Sequence, residues 1–383
     1  MDPFDRLPWF VIRDILCLLP DLPTLHRLHD ASPAIAAFLR HENGLFSQIV
    51  ETIISQEREF GLLPQVQALL RILVFIWWRT FPSESNSELK SETNPLPSSY
   101  KDFFEHIRST VQATLKDGEW FEPWDLGPSY ADAPLPKSTP SIILCRLLAF
   151  SSRFRQIIHV YFHEMIARCM ALKPGYDPDD LPFMDIKPDK RCSRLPVKPH
   201  MPRDIGPPSW IEEQRLLRCF IRIFLFLELQ HAIRTRGLYT TEKAALSVQE
   251  DSVDSFWDKI MDIPGERYQM NSLIVWLVRE AGSVDSIEHW MISASVSETP
   301  IYCCPNLRPL TPIQLKWRET KLYKLVQYIP FCHHSYYCIL PNFPNNGYPE
   351  HSVLYPLGVF FWDGIRVEAL GFLRENHNLT LEA

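Results

Sequence analysis

Thirty-three prolines set against thirteen glycines constrain this chain more than any other feature. A proline has no backbone N–H to donate and its ring clashes with the preceding turn, so it ends a helix or occupies the first position of the next. In the stretches between the prolines, apolar residues recur three and four apart, the spacing of a helix face. Together these patterns predict an all-α fold whose helices are joined by stiff connections. At 383 residues and 46% hydrophobic content, the chain is long and apolar enough for a sizeable core and two or three domains.

Three short amphipathic helices are predicted in the first forty residues. Helix 1 starts after Pro8, carries Val11, Ile12, Ile15, Leu16, Leu18 and Leu19, and stops at Pro20. Its apolar residues cover more than one stripe, so it needs a partner on more than one side. Asp21 is placed to cap helix 2, which repeats Leu22, Leu25 and Leu28. Ser32-Pro33 is an N-cap followed by a first-position proline, and Asn43-Gly44 is read as the stop of helix 3.

Longer helices follow. Leu45/Phe46, Ile49/Val50 and Ile53/Ile54 repeat every four residues, and Val66 to Arg79 is almost wholly apolar, the mark of a central helix. Residues 82–99, rich in Ser, Glu, Asn and Pro, are expected to be a disordered linker or long loop. A helix is predicted over Tyr100–Lys116. The longest opens at Ser138 or Thr139 with Pro140 and reaches about Leu172. Residues 173–208 hold nine prolines and cannot be regular, which fits a cover, a binding loop or disorder. Ser209-Trp210-Ile211-Glu212 is a capping box opening a helix to about Arg236, with Arg215, Arg218 and Arg222 read as its wet side. Further helices are predicted at Thr241–Met261, Tyr268–Ala281, Asp285–Ile292 and Thr311–Tyr328. The aromatic chain from Tyr302 on is otherwise read as irregular.

Net charge is -7, against the basic excess of a dominant nucleic-acid surface, so no nucleic-acid partner is expected. No run reaches the roughly 18 apolar residues of a membrane span, and no membrane association is expected. Nine irregularly spaced cysteines fit a reducing compartment, and Asp2 and Asp5 stand where a secretory signal would be basic. A cytoplasmic or nuclear location follows as the expectation.

Reaction chemistry is hard to find. The chain holds no Gly-rich phosphate loop and no G-x-S-x-G elbow. His159, His163 and Glu164 share a helix, but a zinc-protease pattern would need histidine where Ala167 stands. Cys303-Cys304 and Cys332-His333-His334 with Cys338 lack the paired two-residue spacing of zinc ligands and fit aromatic packing better. Asp179-Asp180 and Glu212-Glu213 are read as solvated acids, the second pair at a helix start. No catalytic residue, metal or cofactor is expected, and the chain is not expected to be an enzyme.

The Leu7-Pro8 pair, the Ile15-Leu16 step and the Leu22/Leu25/Leu28 series resemble the F-box-like domain of an uncharacterised fungal family. Ser209 to Arg215 and Pro356-Leu357-Gly358-Val359-Phe360-Phe361-Trp362-Asp363 are similar to the body of such proteins. The resemblance implies a three-helix F-box-like unit over residues 1–42 and a large irregular helical body over 43–383. It also implies an adaptor role: docking on the Skp-type adaptor of a cullin-RING ubiquitin ligase and recruiting a protein target that the residues do not identify. Leu7, Pro8, Val11, Ile12, Ile15, Leu16, Leu22 and Leu25 are the adaptor-binding residues it implies, some shared with packing of the unit. Two departures stand out. Phe10 occupies the position of a common Glu, and Phe38 lies near the place of a third-helix Trp. The alternatives are a helical scaffold whose F-box-like unit no longer docks, and an enzyme or metal protein using the Cys/His-rich end.

Overall fold

A computed structural model of the chain describes residues 2–41, 43–56, 61–80, 134–171, 202–236, 264–293 and 356–370. The fold is all-α. In chain order the helices are α1 (Trp9–Cys17), α2 (Leu22–Ala31), α3 (Pro33–His41), α4 (Asn43–Ile54), α5 (Pro64–Thr80), α6 (Ser141–Ala171), α7 (Trp210–Arg236), α8 (Pro264–Ala281) and α9 (Ile287–Ser293). A 3₁₀ turn at Val359–Phe361 leads into α10 (Gly364–Ala369). The predicted linker at 82–99 and the predicted helices at 100–116, 241–261 and 311–328 lie outside the described residues, as do Cys303, Cys304, Cys332 and Cys338. No helix among the described residues is long and apolar enough to cross a membrane.

The cap chemistry read from the sequence is in place. Asp21 Oδ1 accepts the Thr24 N–H at 2.7 Å at the start of α2, and Ser32 Oγ accepts the Ile35 N–H at 3.2 Å at the start of α3. At α7 the capping box closes reciprocally: the Ser209 N–H donates to Glu212 Oε2 at 2.8 Å and the Glu212 N–H donates to Ser209 Oγ at 3.4 Å. Asn43-Gly44 does not stop a helix but opens α4.

Helices α5, α6 and α7 pack on one another in pairs. Their shared interior is aromatic: Phe150 meets Phe154 and Phe224 with ring centroids 4.0 and 4.8 Å apart, and Trp77 closes on Phe150 at 5.6 Å. The 31-residue α6 buries Leu147, Phe154, Ile158 and Phe162, so it is wrapped along much of its length. Helices α2 and α4 lie against α6, and α1 lies against α4. The N-terminal helices thus share one hydrophobic core with the body, joined through Leu16, Leu25, Ile35 and Phe46.

Two sequence readings are overturned around α7. Arg215 and Arg218 are buried, not a wet face, because α7 is covered by α5 on one side and by α8 and the 3₁₀ turn on others. Arg215 donates to the Phe361 and Trp362 carbonyls at 3.2 and 2.9 Å, and Arg218 donates to Gln269 Oε1 at 3.0 Å. Burial lowers the Arg215 guanidinium to about 10, against the opposing pull of Asp363. Glu212 and Glu213 are likewise buried, each on an arginine from elsewhere in the chain. The aromatic stretch near the end is not irregular throughout: it supplies the 3₁₀ turn and α10, with Phe360 and Phe361 inside the core.

Candidate docking surface and its coupling to the body

The N-terminal segment is tied down before α1 begins. Asp2 Oδ2 accepts the Ser32 hydroxyl at 2.6 Å and the Ala34 N–H at 3.0 Å, while Oδ1 accepts the Phe4 N–H at 2.9 Å. The Ser32 bond, helped by those two amides, holds the Asp2 carboxyl below its ordinary range. Asp2 therefore adds a second acceptor to the start of α3. The turn it anchors, with the Leu7 N–H on the Phe4 carbonyl at 3.1 Å, delivers Leu7-Pro8 to the head of α1.

Helix α1 divides into two apolar faces. Ile12 and Leu16, four residues apart, point into the core. Trp9 is 60% exposed, Phe10 49%, Leu18 67% and Leu7 37%. Pro8 is exposed beside them, and Val11 and Ile15 are half-buried along the margin. The Trp9 and Phe10 rings meet edge to face at 6.1 Å, and the Arg13 guanidinium lies 5.6 Å from the Trp9 ring centroid. Four large apolar side chains thus stand in the open within twelve consecutive residues, with Trp9 and Phe10 in contact.

The eight residues singled out from the sequence thus separate. Leu7 and Pro8 are open, Val11 and Ile15 are partly open, and Ile12, Leu16, Leu22 and Leu25 are enclosed. The enclosed four hold the unit together and offer a partner no surface while it stays folded. Trp9 and Leu18 were not singled out. Leu18 had a signal: at roughly 100° per residue it lies far round the helix from the Ile12–Leu16 line, as does Phe10. In α3 Phe38 is half-buried and packs on the core, beside the fully enclosed Ile35 and Leu39.

Behind this surface a charged joint ties the N-terminal helices to the body. Arg155 of α6 reaches Asp21, the cap of α2, and donates through Nε to Glu213 Oε1 at 3.2 Å in the first turn of α7. Burial alone would raise the Asp21 carboxyl, but the Arg155 charge and the Thr24 and Arg155 bonds outweigh it and hold it low. The opposite balance holds at Arg155: burial works against its charge, and Glu213 with Asp21 overcomes it.

The two stretches that carry the wider resemblance, Ser209 to Arg215 and Pro356 to Asp363, lie against each other. Glu212 Oε1 accepts the Asp363 N–H at 2.9 Å and Arg366 Nε at 3.0 Å. Asp363 Oδ1 in turn caps α10 through the Arg366 N–H at 3.0 Å. Arg366 also donates to the Gly206 and Pro207 carbonyls at 3.0 and 2.6 Å, binding the end of the proline-rich loop into the same cluster. Gln269 of α8 donates to the Phe360 carbonyl at 2.9 Å.

The histidine pair on α6 is built differently from a metal site. The His159 and His163 rings stand 5.9 Å apart, with His159 buried and His163 exposed. Burial, then the charges of His163 and Arg155, push the His159 imidazole down to about 4. Glu164 is engaged elsewhere, accepting Trp276 Nε1 at 2.7 Å and pairing with Arg168 and Arg279. Among the described residues, no group of three or more His, Cys, Asp or Glu is arranged to hold a metal ion. No family model, curated protein or solved structure matches the chain.

Proposed function

We propose that the chain is an F-box-like adaptor that docks on the Skp-type adaptor of a cullin-RING ubiquitin ligase and recruits a protein target through its helical body. Catalysis then belongs to other subunits, and this chain acts by raising the local concentration of target near the ubiquitin-loaded enzyme. The observation that carries the reading is the open apolar face of α1 with Leu7-Pro8 at its head. Leu7, Pro8, Val11 and Ile15 supply the docking surface, with Trp9 and Phe10 as its aromatic anchors, the residue types that dominate interface energetics. Phe10 in place of an acidic residue makes that face more apolar.

The test is co-expression of the full chain with a Skp-type adaptor, followed by affinity capture. Wild type retains the adaptor; Leu7→Asp with Phe10→Asp loses it while the unfolding midpoint is unchanged. A correctly folded wild type that captures no adaptor ends the proposal. The scaffold reading draws on a different observation: Ile12, Leu16, Leu22 and Leu25 are consumed by the core, and Arg155 fastens the unit to the body. It predicts the folded, adaptor-free outcome of the same experiment.

A further inference from the structure

We propose that Cys145 is a base-assisted nucleophilic thiol, a covalent-modification site for soft carbon electrophiles of the α,β-unsaturated carbonyl class, with His29 as its proton acceptor and Asp30 holding the imidazole. The three residues come from two elements. His29 and Asp30 end α2, and Cys145 sits in the second turn of α6, which lies against it. Cys145 Sγ is 3.9 Å from His29 Nε2, and His29 Nδ1 is 3.0 Å from Asp30 Oδ1. A carboxylate at Nδ1 makes that nitrogen the donor, so the Nε2 lone pair faces the sulfur. This is the thiol–imidazole–carboxylate order of an activated cysteine, in a geometry longer than a reacting one. Among the described residues the site is also faced by His26, whose Nε2 lies 3.5 Å from Asp30 Oδ2, and by Arg40 at the end of α3, whose charge favours the thiolate.

Burial raises the Cys145 thiol above its ordinary range, with Arg40 opposing and Asp30 adding to it. At neutral pH the sulfur is therefore protonated, and reaction needs a base beside it. The other described cysteines supply internal controls. Cys17 is half-buried like Cys145, but its thiol meets the Thr52 hydroxyl. Cys169 is buried, donates to the Leu357 carbonyl at 3.3 Å, and is pushed by burial up to about 12. Cys219 is buried against Gln269.

In the addition, His29 Nε2 takes the Sγ proton and the sulfur electron pair forms a bond to the β-carbon of the electrophile. The C=C π pair moves onto the carbonyl as an enolate, and the imidazolium returns the proton to the α-carbon. Nothing is oxidised and no group leaves. The adduct stands in the seam between α2 and α6, where the N-terminal helices join the body.

The experiment treats the full-length protein with N-ethylmaleimide between pH 5 and 9 and resolves the adducts site by site by peptide mass spectrometry. At neutral pH, Cys145 reacts at least about tenfold faster than Cys17, a bound set below the roughly 10²–10⁴-fold of a well-placed base because the 3.9 Å separation is longer than a reacting one. His29→Gln lowers the Cys145 rate at least about tenfold and leaves Cys17 unchanged. Equal Cys145 rates in wild type and His29→Gln overturn the proposal, and so does a wild-type Cys145 that reacts no faster than Cys17. Should His29→Gln fail to fold, the wild-type comparison of Cys145 with Cys17 decides.

Discussion

Replacing Glu212 by Gln removes one negative charge from a place where water does not reach. Glu212 and Arg366 are both fully enclosed, and the carboxylate accepts from Arg366 Nε at 3.0 and 3.1 Å, from the Asp363 N–H and from the Ser209 N–H. A Gln in the same rotamer retains one carbonyl oxygen but turns an NH₂ donor toward groups that are themselves donors. The loss has two parts. Leaving the Arg366 charge buried with only the more distant and exposed Asp204 Oδ1, at 3.6 Å, as counter-charge costs up to about 3–5 kcal/mol, and a stranded buried N–H adds about 1–3 kcal/mol. Glu212→Gln is therefore expected to destabilise the chain by at least about 3 kcal/mol in guanidinium unfolding. Arg366→Met costs a similar amount, because Glu212 is then the stranded charge.

The double variant discriminates. Once both charges are gone neither is left buried without the other, so Glu212→Gln with Arg366→Met costs less than the sum of the singles by about 2 kcal/mol or more. The loss is also local: the amides of residues 356–370, held in part by Glu212, Arg215 and Gln269, exchange with solvent before those of α6 in the single variant. Additivity of the two substitutions within about 0.5 kcal/mol refutes the coupling, and unchanged exchange at 356–370 refutes the claim that Glu212 fastens this segment.

Leu16→Ala, in the core side of α1, costs about 2–5 kcal/mol, whereas Leu7→Asp on the open side costs under about 0.5 kcal/mol; chemical denaturation of the two distinguishes a two-faced helix from a uniformly packed one. Gly358 has φ +63°, and a Cβ there would stand 2.9 Å from Met165 Cγ, so Gly358→Ala costs at least about 2 kcal/mol in the same assay. His159 is buried neutral with its folded value near 4, below the ordinary 6.5, so its contribution is complete above pH 6.5 and is lost as pH falls toward 4. The contribution is on the order of 3 kcal/mol, and His159→Leu flattens the stability–pH curve across that window. Asp21, held low by Arg155, acts with the same sign but lower on the pH scale, below the ordinary carboxylate range, so Asp21→Asn alters the acid limb instead.

What could be read from the chain without its structure was whatever is local. Asp21, Ser32-Pro33 and the Ser209–Glu212 box announce helix starts because a cap is a bond within three residues. The apolar run at Val66–Arg79 identifies a central helix by composition alone. Long-range partners leave no such trace. Arg215 and Arg218 follow the spacing of a solvated stripe, and only the arrival of the 3₁₀ turn and Gln269, from elsewhere in the chain, makes their burial tolerable. Glu212 announced its cap but not its ion pair, since Arg366 is more than 150 positions away. Asn43-Gly44 carries the composition of a stop, yet α4 starts there because Leu45, Phe46, Ile49 and Val50 pull the next helix onto the core. On α1 the apolar excess was visible, but which of its faces would be covered was decided by α4.

That division of α1 bears on how an adaptor would work. An F-box-like unit hung on a loose connection would let the body sample many positions and dilute its effective concentration near the ligase. Here Asp21, at the cap of α2, is held by Arg155 of α6, and the same guanidinium holds Glu213 of α7. Asp2 pins the segment before α1 to the start of α3, so the orientation of Leu7-Pro8 is set by the same packed assembly. A docked chain would therefore present its body in a fixed direction, with binding strength and reach separately adjustable. In that proposal, substitutions on the open face of α1 would change whether the partner is held. Substitution of Arg155 would change where the body sits once it is held. Arg155→Met should accordingly leave adaptor capture near wild type while loosening the α2–α6 seam, seen as faster amide exchange in α2. Loss of capture in Arg155→Met with α2 exchange unchanged would show that Arg155 serves the docking face itself, and that holding and placing the body are not separable in this fold.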